Sequence, residues 1–222
     1  NETASRDSNP AAMRCGSIGQ CTSDKGRPMT TRLDSILQAA REHAEQVIKP
    51  NIDQWNAARK WPRDASDKAG AAGLTGLYAP EEFGGQGLPL SQGIQVYEQL
   101  GLGDGAYAFA LSMHNICTFA GCGYGTDAFK EKWARDLTSG RKLANFALTE
   151  PQSGSDPMQM YTRATINGDG TWTISGSKAW VSLATEADVY FTVVKTSDAP
   201  GHKDMAMIAI PADAEGLSFG PM

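Results

Sequence analysis

Two short stretches gather the residue types that do chemistry. In the first, Asn145-Phe146-Ala147-Leu148-Thr149-Glu150-Pro151, an apolar run ends in a hydroxyl, a carboxylate and a proline stop, and Gln152-Ser153-Gly154-Ser155-Asp156 continues it as a turn of small residues. Consecutive backbone N–H groups in such a turn can point at an anion, and Gly154 lets a ligand approach closely. The second, Gly176-Ser177-Lys178-Ala179-Trp180-Val181-Ser182, offers a glycine, a cation, an indole and a hydroxyl after another apolar run. Taken singly, each stretch also reads as an ordinary strand-to-loop exit, and a Trp on a strand is more often core than a stacking platform. A third candidate is weaker. His114 precedes Cys117 by one helical turn, a spacing a metal can use, yet no carboxylate or third soft ligand lies near it. A satisfied core pair is expected there, and no metal is assigned.

Composition narrows the classes of function. The 222 residues are 41% hydrophobic and 20% charged, which suits a globular chain with one large core or two modest ones. Lys+Arg 20 against Asp+Glu 25 gives a net charge of −5, without the basic excess of a nucleic-acid binder. No run is long and apolar enough to predict membrane insertion. The four cysteines, Cys15, Cys21, Cys117 and Cys122, lack zinc-knuckle spacing and suit free thiols in a reducing compartment.

The elements that must position these residues divide by period. Residues 1–29 carry no periodic apolar pattern and read as a disordered tail or extension, with Met29 at its end. Residues 30–142 read as a helical domain. Leu33, Ile36, Leu37, Ala40, Ala44, Val47 and Ile48 recur at helical spacing up to Pro50. Further helices are expected over 63–72, over 91–100 behind Ser91 as N-cap, and over 106–120, which is apolar nearly all round. Gly121, Gly123 and Gly125 then interrupt, and Thr126 caps a last helix bearing Phe129, Trp133 and Leu137. Residues 143–222 change to period two, with strands expected over 143–149, 163–166, 171–175, 188–196 and 204–210. Asn167-Gly168-Asp169-Gly170 signals a hairpin between two of them. Helices followed by strands predict an α+β arrangement in separate domains: an all-α bundle, then an incomplete antiparallel β-barrel or sandwich.

Four segments in order resemble the acyl-CoA dehydrogenase family. Gly76-Leu77-Tyr78-Ala79-Pro80-Glu81-Glu82-Phe83-Gly84-Gly85-Gln86-Gly87-Leu88 is similar to a loop of the family's helical domain. The run from Leu148 to Asp156 is similar to the signature that opens its middle β domain. Ile174-Ser175-Gly176-Ser177-Lys178-Ala179-Trp180-Val181-Ser182 is similar to its Gly-x-Lys-x-Trp-Ile-Thr segment. Ala209-Ile210-Pro211 with Glu215-Gly216-Leu217 resembles a later strand and turn. Four matches across a helix-to-strand switch are far more specific than any one of them.

The resemblance implies FAD held between the two domains. Phe146, Leu148 and Thr149 would line the pyrimidine side of the flavin ring, and Gly154 with Ser155 would reach the pyrophosphate, Ser155 also bordering the thioester substrate. Trp180 and Val181 would pack on the ring, and Ser182 would offer a hydroxyl near N5, where the family usually has Thr. The implied reaction is α,β-dehydrogenation of an acyl-CoA, with hydride transfer to flavin N5. The implied acceptor is an electron-transfer flavoprotein or similar carrier, and the implied assembly is a homo-oligomer. The segment from Ser112 to His114 would face the far end of the acyl pocket. The family's catalytic base belongs to a C-terminal helical domain absent from these residues. No catalytic residue is therefore assigned, Glu150 is read as structural, and the chain alone is expected to lack turnover. The compartment implied is the cytoplasm in a bacterium or the mitochondrial matrix in a eukaryote. A flavin monooxygenase on the same fold and a non-catalytic subunit are the alternatives.

Overall fold

A computed structural model describes residues 31–197 and 204–220. The expectations for residues 1–29, including Cys15 and Cys21, lie outside them. The helical part runs α1 (Arg32–His43, continued by a wider turn over Ala44–Ile48), α2 (Ile52–Ala58), α3 (Arg63–Ala71), α4 (Leu90–Gly101) and α5 (Gly105–Tyr124). It closes with α6 (Asp127–Phe129), another wide turn over Lys130–Ala134, and α7 (Arg135–Thr138). The apolar stripe predicted for the first helix is the one buried: Ile36, Ala40, Ala44 and Ile48 share a core with Val96 and Leu100 of α4 and Leu111 of α5.

Several helix boundaries differ from expectation for local reasons. The short α2 was not predicted, because none of its residues is buried and so it carries no stripe. Ser91 is not the N-cap of α4; extended Pro89 holds that position and the helix begins at Leu90. Gly121 and Gly123 do not break α5. At Gly121 a Cβ would lie 2.5 Å from the Phe129 ring and 3.0 Å from the Phe191 ring, so the glycine lets helix, turn and sheet close together. Nor is α5 buried all round, since Phe109 and Ile116 are exposed along one side. Thr126 does cap α6, accepting from the Phe129 amide at 3.2 Å.

Among the described residues five strands follow: β1 (Ala144–Ala147), β2 (Arg163–Ile166), β3 (Trp172–Ser175), β4 (Val189–Lys195) and β5 (Met205–Pro211). The hairpin signal at 167–170 is met by the antiparallel β2–β3 pair, with Ile166 opposite Trp172. The expected antiparallel sheet is in fact mixed. Strand β4 pairs antiparallel with β5 along one edge, and parallel with β1 and, at Lys195, with β2 along the other. Turn signals disclose only neighbours in sequence; β1 and β4 are joined through the whole β2–β3 excursion, and such a return permits the parallel pairing. Among the described residues the sheet is not closed.

His114 fastens the sheet to the helices. Its Nε2–H donates to the Leu137 carbonyl at 3.0 Å, and its Nδ1 accepts from the Ala144 amide at 3.0 Å. The amide can only donate, so the neutral tautomer with hydrogen on Nε2 is required. This is the satisfied core histidine expected from sequence. The ring therefore lies in the core, fully buried. Burial chiefly holds its pKa down at about 4. His43, 2.9 Å from the Tyr107 hydroxyl, is likewise depressed to about 4, by burial and by Lys68.

Both imidazoles bind protons less readily folded than unfolded. Stability from this source is complete above the unfolded value of about 6.5 and is lost as pH falls toward 4. Urea unfolding between pH 7.5 and 4.5 is expected to show that decline. His114→Gln should remove about half of it while lowering stability at pH 7.5 by about 1–3 kcal/mol; an unchanged pH slope would contradict the role given to His114.

Candidate functional site

The carboxylate of Glu150 organises both chemistry-bearing stretches. Its side chain is 2% exposed, and its oxygens accept from the backbone amides of Tyr161 at 2.6 Å and Thr162 at 3.0 Å, from Gln152 Nε2 at 2.7 Å and from Lys178 Nζ at 2.8 Å. The same ammonium donates to the Leu148 carbonyl at 3.0 Å, while the Ala179 amide donates to the Thr149 carbonyl at 2.8 Å. Strand β1 therefore ends at Ala147, two residues earlier than predicted, because the Leu148 and Thr149 carbonyls serve the second stretch. Burial pushes the Glu150 carboxyl up, but hydrogen bonds led by Lys178, with the Tyr161 and Thr162 amides, outweigh it and hold the pKa at about 2.

The turns on either side are built to fit. Glu150 and Ser153 exchange backbone hydrogen bonds of 2.7 and 3.1 Å, and the Ser153 hydroxyl donates to the Asp156 carbonyl at 2.9 Å. Gly176 adopts φ +153°, and a Cβ there would lie 2.4 Å from Thr162 Oγ1, so only glycine brings the second stretch this close. Gly154 differs. Its φ is not positive, and a Cβ would meet nothing nearer than Thr149 Cγ2 at 4.0 Å. Its missing side chain leaves open space beside the Thr149 methyl.

The predicted site residues fall into groups. Leu148 and Thr149, both half-buried, are joined to Lys178 and Ala179 by the bonds just described, and Gly154 sits beside Thr149. Ser155 is exposed on the same turn. Phe146 is half-buried and packs on the core around Cys117 and Leu137. Trp180 lies outside any strand, 91% exposed with φ +57°, and Leu183 takes φ +53°. Val181 and Ser182, between them, line a cavity of about 480 Å³ with Trp55, Trp61, Tyr107 and Phe109 of the helical part. Among the described residues, the hydroxyls of Thr149, Ser155 and Ser182 have no hydrogen-bond partner. Two non-glycine residues in left-handed conformation cost about 1–3 kcal/mol each and persist only where surroundings impose them. Sequence reasoning named Lys178 only as part of a motif; a lysine amid small residues and an indole is a signal, but which of many carboxylates it meets is set by the fold.

Comparison with known proteins is decisive on kinship. A model of the acyl-CoA dehydrogenase N-terminal domain matches residues 30–141, and one of the acyl-CoA dehydrogenase middle domain matches residues 145–222. The chain belongs to the acyl-CoA dehydrogenase family. It is 34% identical over 181 residues to the mitochondrial isobutyryl-CoA dehydrogenase of Dictyostelium discoideum, covering 82% of this chain and 43% of that one. The solved butyryl-CoA dehydrogenase of Megasphaera elsdenii superposes with a TM-score of 0.77 at 28% identity, over 86% of this chain and 51% of the other. A glutaryl-CoA dehydrogenase of Mycobacterium smegmatis in complex with FADH2 superposes with a TM-score of 0.76 at 25% identity, over 86% and 48%. The chain spans about half the length of the curated relatives it matches.

In this family member the Glu150–Lys178 pair is expected to govern the integrity of the site loops. Lys178→Met leaves a buried carboxylate unpaired and should cost about 3–5 kcal/mol in chemical denaturation. Because the Glu150 carboxyl titrates lower when folded, its contribution is full above about 4.5 and lost as pH falls through about 2. Lys178→Met should move that loss to higher pH. Stability within 0.5 kcal/mol of the parent at pH 7 would refute the pairing.

Proposed function

We propose that the protein is an FAD-dependent acyl-CoA dehydrogenase that desaturates an acyl-CoA thioester between Cα and Cβ. What carries the reading is the arrangement around the Glu150–Lys178 pair: three uncommitted hydroxyls, an open glycine turn and an exposed indole on two stretches locked to each other. These residues fit a flavin. Gly154 leaves room for a ligand where no packing demands a glycine, and an indole 91% exposed presents a face for a planar ring.

In this reading the division is a helical domain over 30–142 and a middle domain over 143–222. Phe146, Leu148 and Thr149 hold the pyrimidine side, Gly154 and Ser155 take the pyrophosphate, and Ser155 borders the thioester. Trp180 and Val181 pack on the ring, and Ser182 places its hydroxyl by N5. FAD, when bound, supplies the hydride acceptor. The chain's own part is orientation and charge stabilisation: Thr149 and Ser182 are donors fixed in place before charge develops, each contributing several kcal/mol at most. Half-burial of both residues limits competition from water. Glu150 is held ionised by Lys178 and is unsuited to take a proton. No base is assigned to these residues; the carboxylate that takes the Cα proton belongs to the part of the relatives' length that this chain does not span.

The partners proposed are an acyl-CoA and an electron-transfer flavoprotein or similar acceptor, with self-association into a homo-oligomer. Among the described residues no helix is long and apolar enough to cross a membrane. The compartment proposed is the cytoplasm in a bacterium or the mitochondrial matrix in a eukaryote.

Expressed at the length of its relatives, the protein should purify yellow with flavin absorption and reduce an artificial acceptor when given an acyl-CoA. Thr149→Ala and Ser182→Ala should each slow flavin reduction about 10–1000-fold in stopped flow while acyl-CoA affinity changes far less. A protein colourless after refolding with FAD overturns the reading. Reduction within twofold of the parent in both variants overturns the residue assignment.

A further inference from the structure

We propose that Arg63, at the start of α3 and remote in sequence from both stretches, is a positioning residue for the Trp180–Ser182 segment. The proposal rests on the flavin reading of that segment and concerns how the helical part holds it.

The guanidinium spans three parts of the chain. Nη1 donates to the Glu186 carbonyl at 3.0 Å, and Nη2 donates to the Arg141 carbonyl at 2.7 Å and to Asp188 Oδ2 at 2.9 Å. Asp188 is itself fixed, accepting from Lys142 Nζ at 2.8 Å and from the Leu143 amide at 2.8 Å. Arg63 thus clamps the entry to β1 and the entry to β4 against the helical part. Between Ser182 and Asp188 the chain makes one tight turn, in which the amides of Glu186 and Ala187 both donate to the Leu183 carbonyl at 3.0 Å. The Tyr190 hydroxyl lies 2.5 Å from the Ala184 carbonyl and 3.1 Å from that of Ala187 and closes the turn from below.

This turn is the far anchor of the strained segment. On the near side Lys178 and Ala179 are tied to Glu150, Leu148 and Thr149. From the near anchor the segment runs through left-handed Trp180 and on past Ser182 to left-handed Leu183, the first residue of the turn. A left-handed Leu relaxes unless both ends of its segment are held. Among the described residues Arg63 is the side chain of the helical part with a hydrogen bond to the far anchor, so it carries the position of Ser182 relative to the aromatic wall of the cavity.

A merely structural role would be the ion pair with Asp188, which a lysine can keep. The positioning role needs a planar fork that reaches Glu186, Arg141 and Asp188 together, which a lysine cannot supply. Hydrogen exchange read by mass spectrometry on the protein without flavin is expected to show peptides over 183–187 exchanging about 10-fold faster in Arg63→Ala, with β4 and α5 unchanged. Arg63→Lys, which keeps the fold if the alanine variant does not, should show the same local signature. Lys142→Met, which strips a cation from Asp188 without touching the turn, should not. FAD titration should follow the same order, with affinity down about 10-fold in both Arg63 variants and near parental in Lys142→Met. Parental exchange in Arg63→Lys overturns the proposal, as does fast exchange with unchanged FAD affinity. A parent protein that takes up no FAD overturns instead the functional reading, with exchange still deciding whether Arg63 holds the turn.

Discussion

A buried ion pair, Glu150 with Lys178, is the constraint on which the candidate site depends. Two loops separated by the β2–β3 excursion are made into one surface by a carboxylate with four donors and an ammonium with two acceptors. Taking both charges out of water is costly, and only near-complete hydrogen bonding offsets it. The arrangement brings little stability beyond what apolar residues would give. Its effect is geometric: it fixes where the strand stops, where the small-residue turn begins and how the Trp180 segment leaves.

The rest of the fold supplies the platform for that pair. Helix α5 packs on α1 and α4 through Leu111 and on the sheet through Cys117, with Gly121 admitting Phe129 and Phe191 together. His114 adds a directional link, because a neutral imidazole with one donor and one acceptor fits only one placement of Ala144 against Leu137. Since Ala144 begins β1 and Glu150 follows that strand closely, the orientation of α5 passes to the site along a very short path.

Sequence alone discloses much of this, and the gaps have physical causes. The stripe from Ile36 to Ile48, the hairpin at 167–170, the Thr126 cap and the core role of His114 are legible because each is a local pattern with a local reason. The α2 helix escaped because it buries no residue. The parallel pairing of β1 with β4 escaped because no turn signal reports a partner reached by a long return. Thr149, Gly154, Ser155 and Ser182 are named as candidates by resemblance, whereas the partner of Lys178 and the reach of Arg63 are long-range choices among many carboxylates and carbonyls.

Trp180 shows how far the two kinds of reading can part. An indole after an apolar run is most simply a core residue, yet its left-handed backbone carries the side chain to 91% exposure. Strain at Trp180 and at Leu183, together with an indole ring exposed to water, is unfavourable several times over, and among the described residues no packing contact offsets it. Local rules broken together at one place are the mark of a site shaped for something other than stability. The anchors on either side, Lys178 on Glu150 and Arg63 on Glu186, are what hold the segment in that shape.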